Sequence, residues 1–142
     1  MSTVSPPDTW AYALRLPHDP RAARVARMTV RAALTGHGKG ELLDAVELLA
    51  SELVTNAYLH TDGPASLRLT ALADGRLRVG GRDSQPQVPV PLRTPLGAEG
   101  GRGLRLVQEY ADAWGGWTWG EGALGRSAGK LLWFEVGGKG AG

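Results

Sequence analysis

Between Glu41 and His60 the chain repeats apolar side chains at helical spacing: Leu42, Val46, Leu49, Leu53 and Ala57, widened by Leu43, Ala50 and Val54. A stripe that wide commits the stretch to a buried amphipathic helix, which needs a second layer to cover it. The same helix carries a polar line. Glu52, Asn56 and His60 stand four residues apart. Each such step drifts by only ~40° around an α-helix, so the three emerge on neighbouring parts of one face. A helical wheel sets Asn56 at the margin of the apolar stripe and Glu52 one step further out. His60 falls at the C-terminal end, where a cation suits the helix dipole, and reads as structural.

The remaining elements follow from periodicity and punctuation. Trp10, Tyr12, Leu14 and Leu16 alternate in period two, a strand with one buried face. Asp19 as N-cap with Pro20 at the first helical position starts a helix that runs to about Leu34 and stops at Gly36-His37-Gly38. Val25, Met28 and Ala32 are expected inward, and Arg21, Arg24, Arg27 and Arg31 form a basic stripe. That stripe reads either as a solvated helix face or as a docking surface for an acidic partner, with Arg24 and Arg27 at its centre. Thr61-Asp62-Gly63-Pro64 ends the second helix. Ala65–Ala73 and Arg76–Arg82 read as a hairpin in which the Asp74-Gly75 pair suits a type I′ turn.

From Asp83 to Arg102 the sequence is too rich in Pro and Gly for regular structure. A loop of about twenty residues inside a compact domain is uncommon and usually a lid or binding loop. A short helix is expected over Gly103–Ala113, then strands at Trp114–Gly120 and Lys130–Val136. Trp117, Trp119 and Trp133 alternate in those strands, which favours core or strand-pairing roles over ligand stacking. The order β-α-α-β-β-loop-α-β-β predicts an α+β fold: a two-layer α/β sandwich. Its mixed, mostly antiparallel sheet has about five strands, with three helices on one face. The domain is read as residues 9–136, with 1–8 disordered and 137–142 a flexible tail.

Composition excludes several classes of function. No cysteine is present, so disulfides and thiolate metal sites are absent, and three His make a His-based zinc site a poor fit. Sixteen basic against fourteen acidic residues, with no basic run, argue against direct nucleic-acid binding. Met1-Ser-Thr-Val-Ser-Pro-Pro7 lacks the apolar core of a signal peptide, and no eighteen-residue apolar run occurs. A cytoplasmic protein without a membrane span is expected.

Three motifs then stand in order: Glu52-x-x-x-Asn56 on a helix, Asp83 directly after a strand, and Gly100-Gly101-Arg102-Gly103-Leu104 leading into a helix. Each alone is commonplace; together they suit a nucleotide. A Gly-rich helix N-terminus offers free N–H groups and a positive dipole end to phosphates. Asn56 offers a neutral oxygen to Mg²⁺, which prefers hard oxygens and keeps several waters. Asp83 can accept from an adenine amine. Glu52, one turn away, can take a proton from water or a hydroxyl.

Glu52-Leu-Val-Thr-Asn56-Ala-x-x-His60 resembles the N box of the Bergerat-fold (GHKL) ATPases, the superfamily of gyrase, histidine kinases and the anti-sigma-factor serine kinases. Gly101-Arg102-Gly103-Leu104 is similar to that family's second glycine box, and the resemblance covers roughly residues 10–136. The size, and the strand and helix that open the chain, resemble the anti-sigma-factor branch. No helical dimerisation stretch precedes the domain, so a piece of a larger sensor fits less well.

The resemblance implies ATP and Mg²⁺ as cofactors, with Asn56 as metal ligand and Glu52 as the general base that activates a partner's serine. It implies that Asp83 reads adenine while Gly101, Arg102, Gly103 and Leu104 hold the phosphates beneath the 83–102 lid. It implies an anti-anti-sigma protein as substrate, a sigma factor as sequestered partner, or both, and a homodimer is common in the family. The chain departs from the pattern twice. The first glycine box, Asp-x-Gly-x-Gly, is here Asp83-Ser-Gln-Pro86 without either glycine, so the backbone runs differently there. The last strand often carries Thr after Gly-Lys, and here Leu131 follows Gly129-Lys130, a pair that is also no P-loop. These departures keep a second reading in view: a non-catalytic nucleotide-sensing or protein-binding partner-switch module.

Overall fold

The computed structural model describes residues 9–84, 109, 111–120 and 128–137. Five strands form one sheet: β1 (Trp10–Leu16), β2 (Ala65–Ala71), β3 (Leu77–Asp83), β4 (Ala113–Trp119) and β5 (Gly129–Val136). Their order is β1-β2-β3-β5-β4, and every neighbouring pair is antiparallel. The expected five-strand α+β sandwich is therefore present, with the described sheet wholly antiparallel instead of mixed. Two α-helices are described, α1 (Ala22–Gly36) and α2 (Leu43–His60), the second entered through a 3₁₀ turn at Gly40–Leu42. The third expected helix, 103–113, lies largely outside the described residues; within it Glu109 is helical, and Ala113 already belongs to β4. The 1–8 and 138–142 segments and almost all of the 83–102 loop also lie outside them.

Helix α2 is the centre of the core. It packs against α1 on one side and against β2, β3 and β5 on the other, which is why its apolar stripe is so broad. Val46, Leu49, Ala50, Leu53, Val54 and Ala57 are all buried. They meet Leu67, Leu69, Val79, Leu132 and Phe134 from the alternating inner face of the sheet. Thr61 closes the helix, its N–H and its hydroxyl both donating to Ala57 O at 3.0 and 2.8 Å. His18 Nε2 donates to Tyr58 O at 2.9 Å and its ring stacks on Tyr58, tying this end of α2 to the β1–α1 turn.

Helix α1 departs from expectation in phase and in start. Its buried residues are Ala22, Ala26, Val30, Ala33 and Leu34, whereas Val25 and Met28 are 45% and 63% exposed, and Ala32 is exposed too. Small side chains on the inner face let α1 lie close on α2. The rotation also lets Arg27 donate to Ser51 Oγ at 3.0 Å and Arg31 pair with Glu47 at 2.9 Å across the two helices. Asp19 does not cap the first turn. Its Oδ1 accepts from Arg21 N at 2.8 Å in a turn through Pro20, and the helix begins at Ala22. The Arg21 guanidinium clasps the same carboxylate and holds its pKa down to about 2.

The β2–β3 connection is also longer than a two-residue turn. Gly75 N donates to Leu72 O and Leu72 N to Arg76 O, so Ala73, Asp74 and Gly75 form the loop. Gly75 has φ +90°, a conformation that needs glycine, so the extra residue and the glycine serve the same bend. On the outer sheet face Glu135 accepts from Arg76 and Arg78, and Arg78 lies 4.9 Å from the Trp133 ring. Trp133 thus pairs across the sheet opposite Gly115, away from the helix-covered core.

Candidate functional site

The site lies where the C-terminal half of α2 meets the sheet. At Gly81 an added Cβ would stand 3.1 Å from Leu53 Cβ, so the missing side chain lets the helix press on β3. Beside this contact is a recess lined by Leu53, Asn56, Ala57, Gly81, Asp83 and Leu132, among others. Asn56 reaches it because it sits at the margin of the apolar stripe and is half-buried. Asp83 reaches it because it shares the inner face of β3 with Leu77, Val79 and Gly81. Two residues from separate motifs, one on a helix and one at the end of a strand, are thereby brought to one place.

Glu52 is half-buried one turn before Asn56 and is not among the residues lining the recess. Burial pushes its carboxyl above the usual carboxylate value. No ion pair holds it among the described residues. His60 is exposed at the end of α2. Gly101, Arg102, Gly103 and Leu104 lie outside the described residues. Arg24 is exposed on α1, while Arg27, also exposed, is engaged with Ser51.

The sequence alone does not reveal the partner of Asp83. Across the β3–β5 pairing Asp83 stands opposite Lys130, and Lys130 Nζ donates to Oδ1 and Oδ2 at 2.9 Å each. The two side chains are 7% and 1% exposed. A buried ion pair thus sits at the edge of the recess, and the carboxylate, not the lysine, lines it. What brings them together is the register of two strands that are not consecutive in the chain.

Among the described residues no three His, Cys, Asp or Glu gather as a metal site. Mg²⁺ does not require such a cluster, since it is commonly held by one or two protein oxygens together with phosphates and water. The Asn56 carboxamide is half-buried at the recess and offers one neutral oxygen there. No helix among the described residues is long and apolar enough to cross a membrane.

Comparison with known proteins bears on the fold and the family. An uncharacterised protein of Streptomyces coelicolor is 48% identical over 54 residues, 37% of this chain. The chain spans about half the length of that curated relative, 51%. A chain of the SiaB–SiaC complex of Pseudomonas aeruginosa superposes with a TM-score of 0.67 at 10% identity, over 88% of each chain. The RsbU and RsbW domains of Rv1364c from Mycobacterium tuberculosis superpose with a TM-score of 0.61 at 17% identity, over 89% of this chain and 32% of that one. At these identities the two structures share the fold. Residues 16–122, three quarters of the chain, match the histidine kinase-like ATPase domain. With the N-box helix, the antiparallel sheet and the recess between them in place, the chain belongs to the histidine kinase-like ATPase domain family, within the GHKL superfamily that its sequence resembles.

Proposed function

We propose that this chain is a cytoplasmic ATP-dependent regulatory protein that phosphorylates a serine of an anti-anti-sigma partner, sequesters a sigma factor, or does both. One observation carries the reading: Asn56 from α2 and Asp83 from β3 line the same recess, with Glu52 one turn from Asn56. Bound Mg-ATP would supply the phosphoryl group. The Asn56 carboxamide oxygen would hold the ion, and the Asp83 carboxylate would accept from the exocyclic amine of the base. Gly101, Arg102, Gly103 and Leu104 would cradle the phosphates with backbone N–H groups.

Glu52 would take the hydroxyl proton as the serine oxygen bonds to the γ-phosphorus. The bond to the bridging oxygen breaks with its electron pair, and ADP leaves. A carboxyl raised by burial is a stronger base than an ordinary one, so activity should rise with pH through a value above the usual carboxylate range. Arg24 and Arg27 would dock the partner, with the exposed apolar Val25 and Met28 beside them supplying contact area. That one chain of similar fold comes from the SiaB–SiaC complex supports a protein partner. A homodimer would suit the family resemblance.

The test is phosphotransfer. Incubated with radiolabelled Mg-ATP and candidate antagonist proteins encoded nearby, the chain should label a partner serine, and Glu52→Ala should lose that label. Labelling that is absent, or untouched in Glu52→Ala, would sink the catalytic claim. Charge reversal at Arg24 and Arg27 should weaken partner binding; unchanged affinity removes them from the interface.

A second reading is favoured by the engagement of Asp83 with Lys130 and by the missing glycines of Asp83-Ser-Gln-Pro86. In it the chain senses nucleotide or holds its partner without chemistry. Calorimetry with ATP and ADP, with and without Mg²⁺, separates the two, since no binding at millimolar nucleotide leaves only protein binding.

A further inference from the structure

We propose that Lys130 sets how tightly this site takes a nucleotide, its ammonium acting on Asp83 as an internal competitor for the base amine. The inference rests on reading the recess as the base-binding end of a nucleotide site. Three observations carry it. Lys130 Nζ lies 2.9 Å from both oxygens of Asp83, so it engages the whole carboxylate and leaves neither oxygen uncommitted. The ammonium is 1% exposed, so it has no route to solvent in this arrangement. Asp83 lines the recess, so the clamped carboxylate is the one a ligand would meet.

Ammonium–carboxylate hydrogen bonds are roughly twice as strong as neutral ones. A neutral exocyclic amine that approaches Asp83 therefore meets a carboxylate already neutralised by a stronger donor. It must either use what acceptor capacity remains or displace Lys130, and displacement strands a buried charge. Both routes lower affinity. A side chain at position 130 that cannot donate reverses the situation. Asp83 is then without the Lys130 ammonium before the ligand arrives, and the incoming amine can take up the place it held.

The mechanism acts through one group of the ligand, which makes it separable from a general effect on folding. Adenosine triphosphate carries the exocyclic amine; inosine triphosphate replaces it with a carbonyl, an acceptor that Asp83 repels. Binding of both Mg-nucleotides should be measured by calorimetry on the full chain, on Lys130→Met and on Lys130→Gln. Lys130→Gln keeps a neutral donor to Asp83 and guards against a variant that does not fold. The expected result is at least tenfold tighter ATP binding in Lys130→Met, a smaller gain in Lys130→Gln, and no gain for inosine triphosphate.

Two results overturn the proposal and leave the nucleotide reading standing: ATP affinity unchanged or weaker in both variants, or equal gains for the two nucleotides. A Lys130→Gln chain that no longer folds makes the pair purely structural and overturns it too. If the parent and both variants bind neither nucleotide at millimolar concentration, the nucleotide reading itself fails and the proposal falls with it.

Discussion

The buried Asp83–Lys130 pair makes a sharp prediction about stability. At the observed 2.9 Å separation and an effective dielectric near 20, Coulomb attraction alone is about 6 kcal/mol. Desolvating two charges offsets most of that, so the net worth of the pair relative to two apolar side chains is close to zero. Removing one partner is another matter, because the survivor keeps its burial and loses the opposite charge beside it. Lys130→Met should therefore cost about 3–5 kcal/mol. For a chain of this size that corresponds to a fall of roughly 9–15 °C in Tm, at about 3 °C per kcal/mol. Asp83→Leu alone should cost a similar amount. The double variant Asp83→Leu/Lys130→Met, apolar at both positions, should recover most of the loss. The two sites form one interaction, so their effects should be strongly non-additive. Thermal and urea unfolding of the parent, both single variants and the double variant give the cycle. If Lys130→Met shifts Tm by less than about 3 °C, the pair is not desolvated as the structure has it. A double variant as unstable as the sum of the singles would show that Asp83 and Lys130 are not coupled.

Three further outcomes are expected. Burial holds the Glu52 carboxyl above its ordinary value, so the folded chain keeps this proton to higher pH than the unfolded chain does. The contribution is intact below the ordinary carboxylate range and is lost as pH rises through the raised value. Glu52→Gln should therefore match the parent in acid and be at least as stable at neutral pH, and a parent that stays more stable at neutral pH than the variant would refute it. Gly81→Ala places a methyl group 3.1 Å from Leu53 Cβ at the α2–β3 contact, and overpacking of this kind costs about 1–3 kcal/mol; an unchanged urea midpoint would show that the helix is not pressed on the strand there. Glu135, its side chain 4% exposed, accepts from Arg76 Nη1 at 2.6 Å and Arg78 Nε at 2.8 Å, so Glu135→Ala should cost about 2 kcal/mol in the same assay, a figure held down because both arginines can return to water.

How far the sequence can be read depends on whether the deciding interaction is local. Helix α2 is legible because it is buried on two sides, so its apolar stripe is wide and its phase follows from Leu49, Leu53 and Ala57 without knowledge of the neighbours. The hairpin is legible for a similar reason: alternation on β2 and β3 is local, and only the length of its turn depends on the Leu72–Gly75 and Leu72–Arg76 bonds. Helix α1 can be located from its sequence, but its rotation cannot. Size and apolarity favour Val25 and Met28 for the core, yet the neighbour is another helix, and close approach selects Ala22, Ala26 and Ala33.

The site divides along the same line. Glu52 and Asn56 share a helix, so periodicity relates them directly. Asp83 joins Asn56 at the recess through packing of α2 on β3, which the motif order suggests and the covering of the apolar stripe requires. Lys130 stands 47 positions beyond Asp83, and the chain between them includes β4 before it returns as β5 to pair with β3. Which residue then faces Asp83 is set by strand order and register, and a slip of one residue would put Lys130 on the opposite face of the sheet. A buried lysine in an apolar strand is the one local hint, because so costly a group needs a carboxylate within reach.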